Sequence, residues 1–145
     1  MKLTKNFSLN EFISSETALR RGIDNTPSAE VLANLKALCE NIMQPLRDWY
    51  GKPINITSGY RSPALNRAIK GAANSDHMKG QAVDFTLPKE DYPKVFEWLR
   101  NNVQFTQIID EFGFSWIHIS YDAKNLKKQA LKAVKQNGKT LYINA

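Results

Sequence analysis

Ser75-Asp76-His77-Met78-Lys79-Gly80-Gln81-Ala82-Val83-Asp84 sets an imidazole and a carboxylate seven positions apart, with Gly80 between them. Upstream, Gly71 to Asn74 is small and polar, a flexible approach. Downstream, Ala82-Val83-Asp84-Phe85-Thr86-Leu87 reads as a strand that stops at Pro88. The stretch is therefore a loop running into a strand. The other histidine of the chain, His118, lies in the apolar run Trp116-Ile117-His118-Ile119. Alternation there turns Ile117 and Ile119 to one side, and Trp116, His118 and Ser120 to the other. The isoleucines take the core, so His118 faces a cleft. Two imidazoles and a carboxylate form a donor set that suits Zn²⁺ and leaves a fourth position free for water. The rest of the chain reads as the scaffold that folds His118 back against His77 and Asp84.

Two β-prone runs, Phe105 to Phe112 and Ser115 to Tyr121, flank Gly113-Phe114 and predict a hairpin. Its register decides which acid shares the face of His118. A two-residue loop at Gly113-Phe114 pairs Phe112 with Ser115 and Glu111 with Trp116, which brings Glu111 to that face. A three-residue loop would bring Asp110 instead. The two-residue reading is preferred, making Glu111 the candidate base that takes a proton from attacking water and returns one to a leaving amine.

Around this centre the pattern predicts helices and short strands. Ser8-Leu9-Asn10-Glu11 has capping-box spacing and opens a short helix that buries Phe7, Leu9, Phe12 and Ile13. Gly22 to Asn25 is a loop. Thr26-Pro27 starts a long amphipathic helix reaching about Tyr50, which Pro45 should kink or interrupt and Gly51 stops. Pro53 to Thr57 is a short strand, Ser58 to Pro63 a loop, and Ala64 to Ile69 a helix. Asp91-Tyr92-Pro93 starts another helix with Val95, Phe96, Leu99 and Val103 inward. Asp122 is expected to cap a last helix through about Lys135, and Thr140 to Ile143 to add a final strand. The expected fold class is α+β, a small and mainly antiparallel sheet flanked by helices.

The 145 residues are expected to make one domain, acting as a monomer. A single cysteine, Cys39, excludes an intramolecular disulfide and any cysteine-based zinc site. The first residues lack the apolar core of a secretory signal, and no run is long and apolar enough to span a membrane. Synthesis in the cytoplasm is the expectation, with release or export by other means and no membrane insertion. The formal charge of +6 suits an anionic partner such as an acidic wall polymer. The basic residues are spread out, apart from a modest concentration between Lys124 and Lys139, so no nucleic-acid partner is expected.

The pattern Ser75-x-His77-x-x-Gly80-x-Ala82-x-Asp84, followed by Trp116-x-His118, resembles the zinc D-Ala-D-Ala carboxypeptidase family, which includes phage endolysins. Its small single-domain branch is the closer likeness, through Phe7 to Phe12, Gly22 to Pro27, Ser58 to Asn66 and Gln107 to Phe112. The likeness covers about residues 4 to 121. It implies a hedgehog-like zinc fold, Zn²⁺ held by His77, Asp84 and His118, and peptidoglycan stem peptide as the partner. The reaction implied is D-Ala-D-Ala carboxypeptidase or L-Ala-D-Glu-type endopeptidase hydrolysis, in a phage or prophage product. Many family members carry an acid three residues before the last histidine, where this chain has Ser115. The branch it resembles instead has a glutamate in the preceding strand, matching Glu111. Arg61 matches an arginine near the substrate, suited to a peptide carboxylate or a developing oxyanion. Ser75, Gln107 and Tyr60 are further candidates for lining the cleft. The alternative from another class is a non-catalytic binding or structural protein with the same zinc fold, such as a phage tail component.

Overall fold

Strands that alternate in sequence must send one set of side chains to each face of a sheet. The computed structural model, which describes residues 1–145, separates them in that way. Short strands β1 (Lys2–Thr4) and β2 (Phe7–Ser8) pair at the N-terminus and lead into helices α1 (Leu9–Ile13) and α2 (Glu16–Arg21). The first of these has the expected cap: the backbone amide of Ser8 donates to Glu11 Oε2 at 2.8 Å. The second, α2, is absent from the sequence reading. Ser15 caps it by accepting from the Ala18 amide, and Gly22 ends it in the left-handed conformation.

The long helix runs from Ala29 to Tyr50 as α3 (Ala29–Leu38), a π turn (Cys39–Met43) and α4 (Gln44–Tyr50). It starts later than Thr26-Pro27, because Asp24 accepts from the Thr26 amide in a local turn and Ser28 is the cap, bonded to the Val31 amide. Pro45 interrupts it, standing in the first turn of α4 directly after the π turn. The proline has no amide proton to donate four residues back, and the preceding turn widens so that Gln44 bonds to the Cys39 carbonyl. After it come β3 (Asn55–Ser58), α5 (Pro63–Ala68), β4 (Ala82–Thr86), α6 (Tyr92–Asn102), β5 (Gln107–Glu111) and β6 (Trp116–Ser120).

The C-terminal quarter departs from expectation. No helix follows Asp122; the chain forms β7 (Gln129–Gln136) and β8 (Lys139–Asn144) instead. Ala130, Leu131, Ala133 and Val134 fit a helical stripe as well as a strand. The turn Asn137-Gly138, both at positive φ (52° and 76°), is what a tight two-residue hairpin requires. A strand there also covers the edge that β5 would otherwise expose.

The main sheet has the order β3-β4-β6-β5-β7-β8, antiparallel throughout except for the parallel pair β5 and β7. Val83, Phe85, Ile108, Ile117 and Ile119 face one way and join Leu35, Leu38, Ile42 and Leu99 of the helices in one core. Each such buried side chain contributes about 1.5–3 kcal/mol. The opposite face carries Asp84 and His118.

Candidate metal centre

His77 lies on a single 3₁₀ turn, Asp76–Lys79, capped by Ser75 and closed by Gly80 at φ 72°. A Cβ at Gly80 would come within 2.8 Å of the Val31 carbonyl, so this exit is shut to other residues. Asp84 and His118 are direct cross-strand partners on β4 and β6. The fold brings all three together: His118 Nδ1 is 2.8 Å and His77 Nε2 3.4 Å from Asp84 Oδ1. The two imidazole rings meet edge to face, 5.2 Å apart. One donor atom from each residue lies within 4.8 Å of the others.

The electronics of this group fit a cation. Gly59 offers His77 a carbonyl, which only accepts, so Nδ1 carries the proton in the 2.7 Å bond between them. Nε2 is then an electron-rich nitrogen facing a carboxylate oxygen, a juxtaposition that a divalent ion satisfies. For Asp84, burial opposes the charge, yet the neighbouring imidazoles of His118 and His77 outweigh it and hold the carboxyl well below its usual range. For His118, burial favours the neutral ring but Asp84 and Glu111 outweigh it, and its pKa is raised.

The loop from Ser58 to Pro63 is pinned so that Gly59 can reach His77. Asn25 Nδ2 donates to the Ile13 and Tyr60 carbonyls, and its Oδ1 accepts from the Ser62 amide at 2.7 Å. Tyr60 N donates to the Phe12 carbonyl and Arg61 N to that of His77. A Cβ on Gly59 would lie 2.5 Å from the Phe12 carbonyl oxygen. Gly59→Ala is therefore expected to cost about 1–3 kcal/mol of stability through overpacking. A lowered denaturant midpoint with unchanged slope is the measurement.

Glu111 pairs with Trp116 across β5 and β6, in the expected register, and lines the cavity with the trio. The connection differs from a two-residue loop. It spans Phe112 to Ser115, with Phe112, Gly113 and Phe114 all at positive φ, and the Phe112 amide bonds to Ala133 on β7. Glu111 as a residue is 8% exposed, and no hydrogen bond within the protein engages its carboxylate, which opens on the cavity. Burial raises its pKa, His118 counteracts, and Asp84 and Asp110 add to the rise. Asp110 points to the other face, where Oδ1 accepts from the Phe114 amide at 2.5 Å and fastens the turn.

The cavity measures about 620 Å³. Arg61, Ser75 and Gln107 all line it; Arg61 Nη2 donates to Ser75 Oγ at 3.1 Å. Burial lowers the Arg61 pKa and Asp84 restores part of it. The Arg61 Nε, buried, has no partner. Tyr60, expected to contact substrate, instead packs in the core at 8% exposure, away from this cavity. Asn25 and the Gly59 carbonyl were missed as supports of the centre, and so were Leu131, Thr140 and Tyr142, which complete the cavity wall. The Asn137-Gly138 turn is the signal that would have placed those three.

Residues 5–120 match the Peptidase M15 family. A zinc D-Ala-D-Ala carboxypeptidase of Streptomyces albus G is 35% identical over 68 residues, 46% of this chain. That stretch is 26% of the relative's own length, so the chain matches about a quarter of it.

Proposed function

The chain belongs to the Peptidase M15 family, and from that premise we propose that it is a zinc-dependent peptidase trimming the D-Ala-D-Ala end of bacterial cell-wall peptide. His77, Asp84 and His118 hold the ion, through one imidazole nitrogen each and a carboxylate oxygen. Zinc in that position supplies Lewis acidity to the scissile carbonyl and a nucleophile from water near neutral pH. The observation that carries the reading is that Glu111, a half-buried acid whose carboxylate makes no hydrogen bond within the protein, lines the same cavity as the trio.

Glu111 takes the proton of the attacking water and passes it to the leaving amine. Its raised pKa suits both halves of that exchange. The same placement favours a peptidase over a non-catalytic relative of the fold, since an acid lining the cavity of the trio can move a proton and is not needed to hold the ion. Arg61 receives the terminal carboxylate of the peptide. Ser75, which also accepts from the His77 amide at 3.2 Å, ties the guanidinium to the turn that carries the ligand.

Mass spectrometry of wall peptides after incubation with zinc-loaded protein tests the reading. Loss of one terminal alanine supports it, splitting inside the stem shifts it to an endopeptidase, and intact peptides overturn it. Arg61→Ala is expected to raise KM by about ten-fold or more, the equivalent of one charge-assisted hydrogen bond. Zinc content should be unchanged. An unaltered KM would reassign Arg61 to holding the loop.

A further inference from the structure

The sheet continues beyond Glu111, and its continuation lies outside the segment matched to the family, which ends at residue 120. β7 pairs with β5 in parallel and returns through Asn137-Gly138 as β8. The pairs Glu111↔Ala133 and Ala133↔Tyr142 place these residues in one row on one face; Ile109↔Leu131 forms the row beside it. His118, paired with Ile109, lies on that same face. The hairpin thus prolongs the cavity across the sheet, on the side of Glu111 away from β4 and the Arg61 loop.

The chemistry changes along that path. The β4 end has a guanidinium, a hydroxyl and Asp76. The hairpin end has an apolar floor of Ile109 and Leu131, both buried, beside Tyr142, a residue 56% exposed. Ala133, fully buried, puts only a methyl between Glu111 and Tyr142 in their row. Burial raises the Tyr142 pKa, and the Glu111 charge reaches its phenol and adds to the rise. An exposed aromatic over an apolar floor offers a large contact area at small entropic cost.

We propose that the hairpin Gln129–Asn144 is the specificity wall of the cleft, and that Tyr142 contacts the peptide on the amino side of the scissile bond. The proposal rests on the peptidase reading, with Arg61 at the carboxyl end. Its substrate class is an extended peptide of several residues, whose portion beyond the last two lies over Ile109 and Leu131. A bare dipeptide leaves this wall unused.

The test compares an acetylated D-Ala-D-Ala dipeptide with a pentapeptide ending in the same two residues. Binding is measured on zinc-loaded protein carrying Glu111→Gln, which suppresses cleavage, and kcat/KM on the protein with Glu111 intact. The pentapeptide should bind at least about ten-fold more tightly, the worth of one well-placed aromatic contact. Adding Tyr142→Ala should erase that advantage while moving the dipeptide less than about two-fold. Leu141→Ala, on the other face of the same strand, should keep the advantage. Equal binding of the two peptides overturns the proposal, as does an equal loss for both in Tyr142→Ala or the same erasure in Leu141→Ala. Failure of the peptidase reading looks different: no turnover of either peptide with Glu111 intact, while the binding comparison still stands.

Discussion

His118→Ala is expected to strip the zinc and abolish turnover together. His118 is on β6, between β4 and β5, so its imidazole supplies a donor at the one point where both neighbouring strands converge on the site. With alanine there, His77 Nε2 and Asp84 Oδ1 are the donors left, too few for a catalytic zinc site, which needs three protein ligands. Loss of an outer partner already weakens metal binding about 10–100-fold, and loss of a ligand should exceed that. The measurement is zinc content after dialysis, with affinity from chelator competition. Circular dichroism should show a retained fold, because the imidazole faces the cleft and Ile117 and Ile119 keep the core contacts.

A second consequence concerns acid stability. The Asp84 carboxyl is depressed in the folded protein because the neighbouring imidazoles of His118 and His77 outweigh the opposing burial. A depressed carboxyl contributes stability above its unfolded pKa and loses it as pH falls through the folded value. His118→Ala removes the 2.8 Å bond to Asp84, so the metal-free variant should show a smaller drop in stability on acidification than metal-free wild type. Full zinc stoichiometry in His118→Ala would mean that this trio is not the metal site.

How much of this was legible before any coordinates depends on which signal each residue carries. The face of His118 followed from two isoleucines, because period-two alternation leaves no choice once the apolar side is buried. Glu111 followed from counting back from Trp116, and that register holds although the turn is wider than two residues. Left-handed Phe112 and Phe114 are where counting fails: nothing in a phenylalanine announces positive φ, and the turn is held by Asp110 and by the Lys89 ammonium on the Gly113 carbonyl. Residues 129–136 were misread because Ala-Leu-Lys-Ala-Val satisfies both periods; an edge on β5 needing a partner, a tertiary fact, decided it. Tyr60 stands beside Arg61 in sequence, but Gly59 lets the chain press against Phe12, and the ring turns into the core.

Glu111→Gln separates chemistry from binding most sharply. The amide keeps the size of the carboxyl and cannot accept a proton, so kcat should fall by about 10²–10⁴-fold, the usual worth of a positioned base. Zinc content and KM should hold, since the residue belongs to neither the His77, Asp84, His118 trio nor the Arg61 end of the cavity. The pH profile carries a second mark. Burial raises the Glu111 pKa, and the working form is the ionised one. Wild-type kcat should thus drop on acidification as Glu111 takes up a proton, and the residual activity of Glu111→Gln should lose that limb. Asp110→Asn is the companion, because Asp110 sits one residue away and was the other candidate. Its carboxylate serves the Phe114 amide on the opposite face, so it should lower the unfolding midpoint and leave kcat within about an order of magnitude. If Asp110→Asn collapses kcat while Glu111→Gln turns over normally, the proton passes through the acid that the register sets against the core, and the assignment of the base fails.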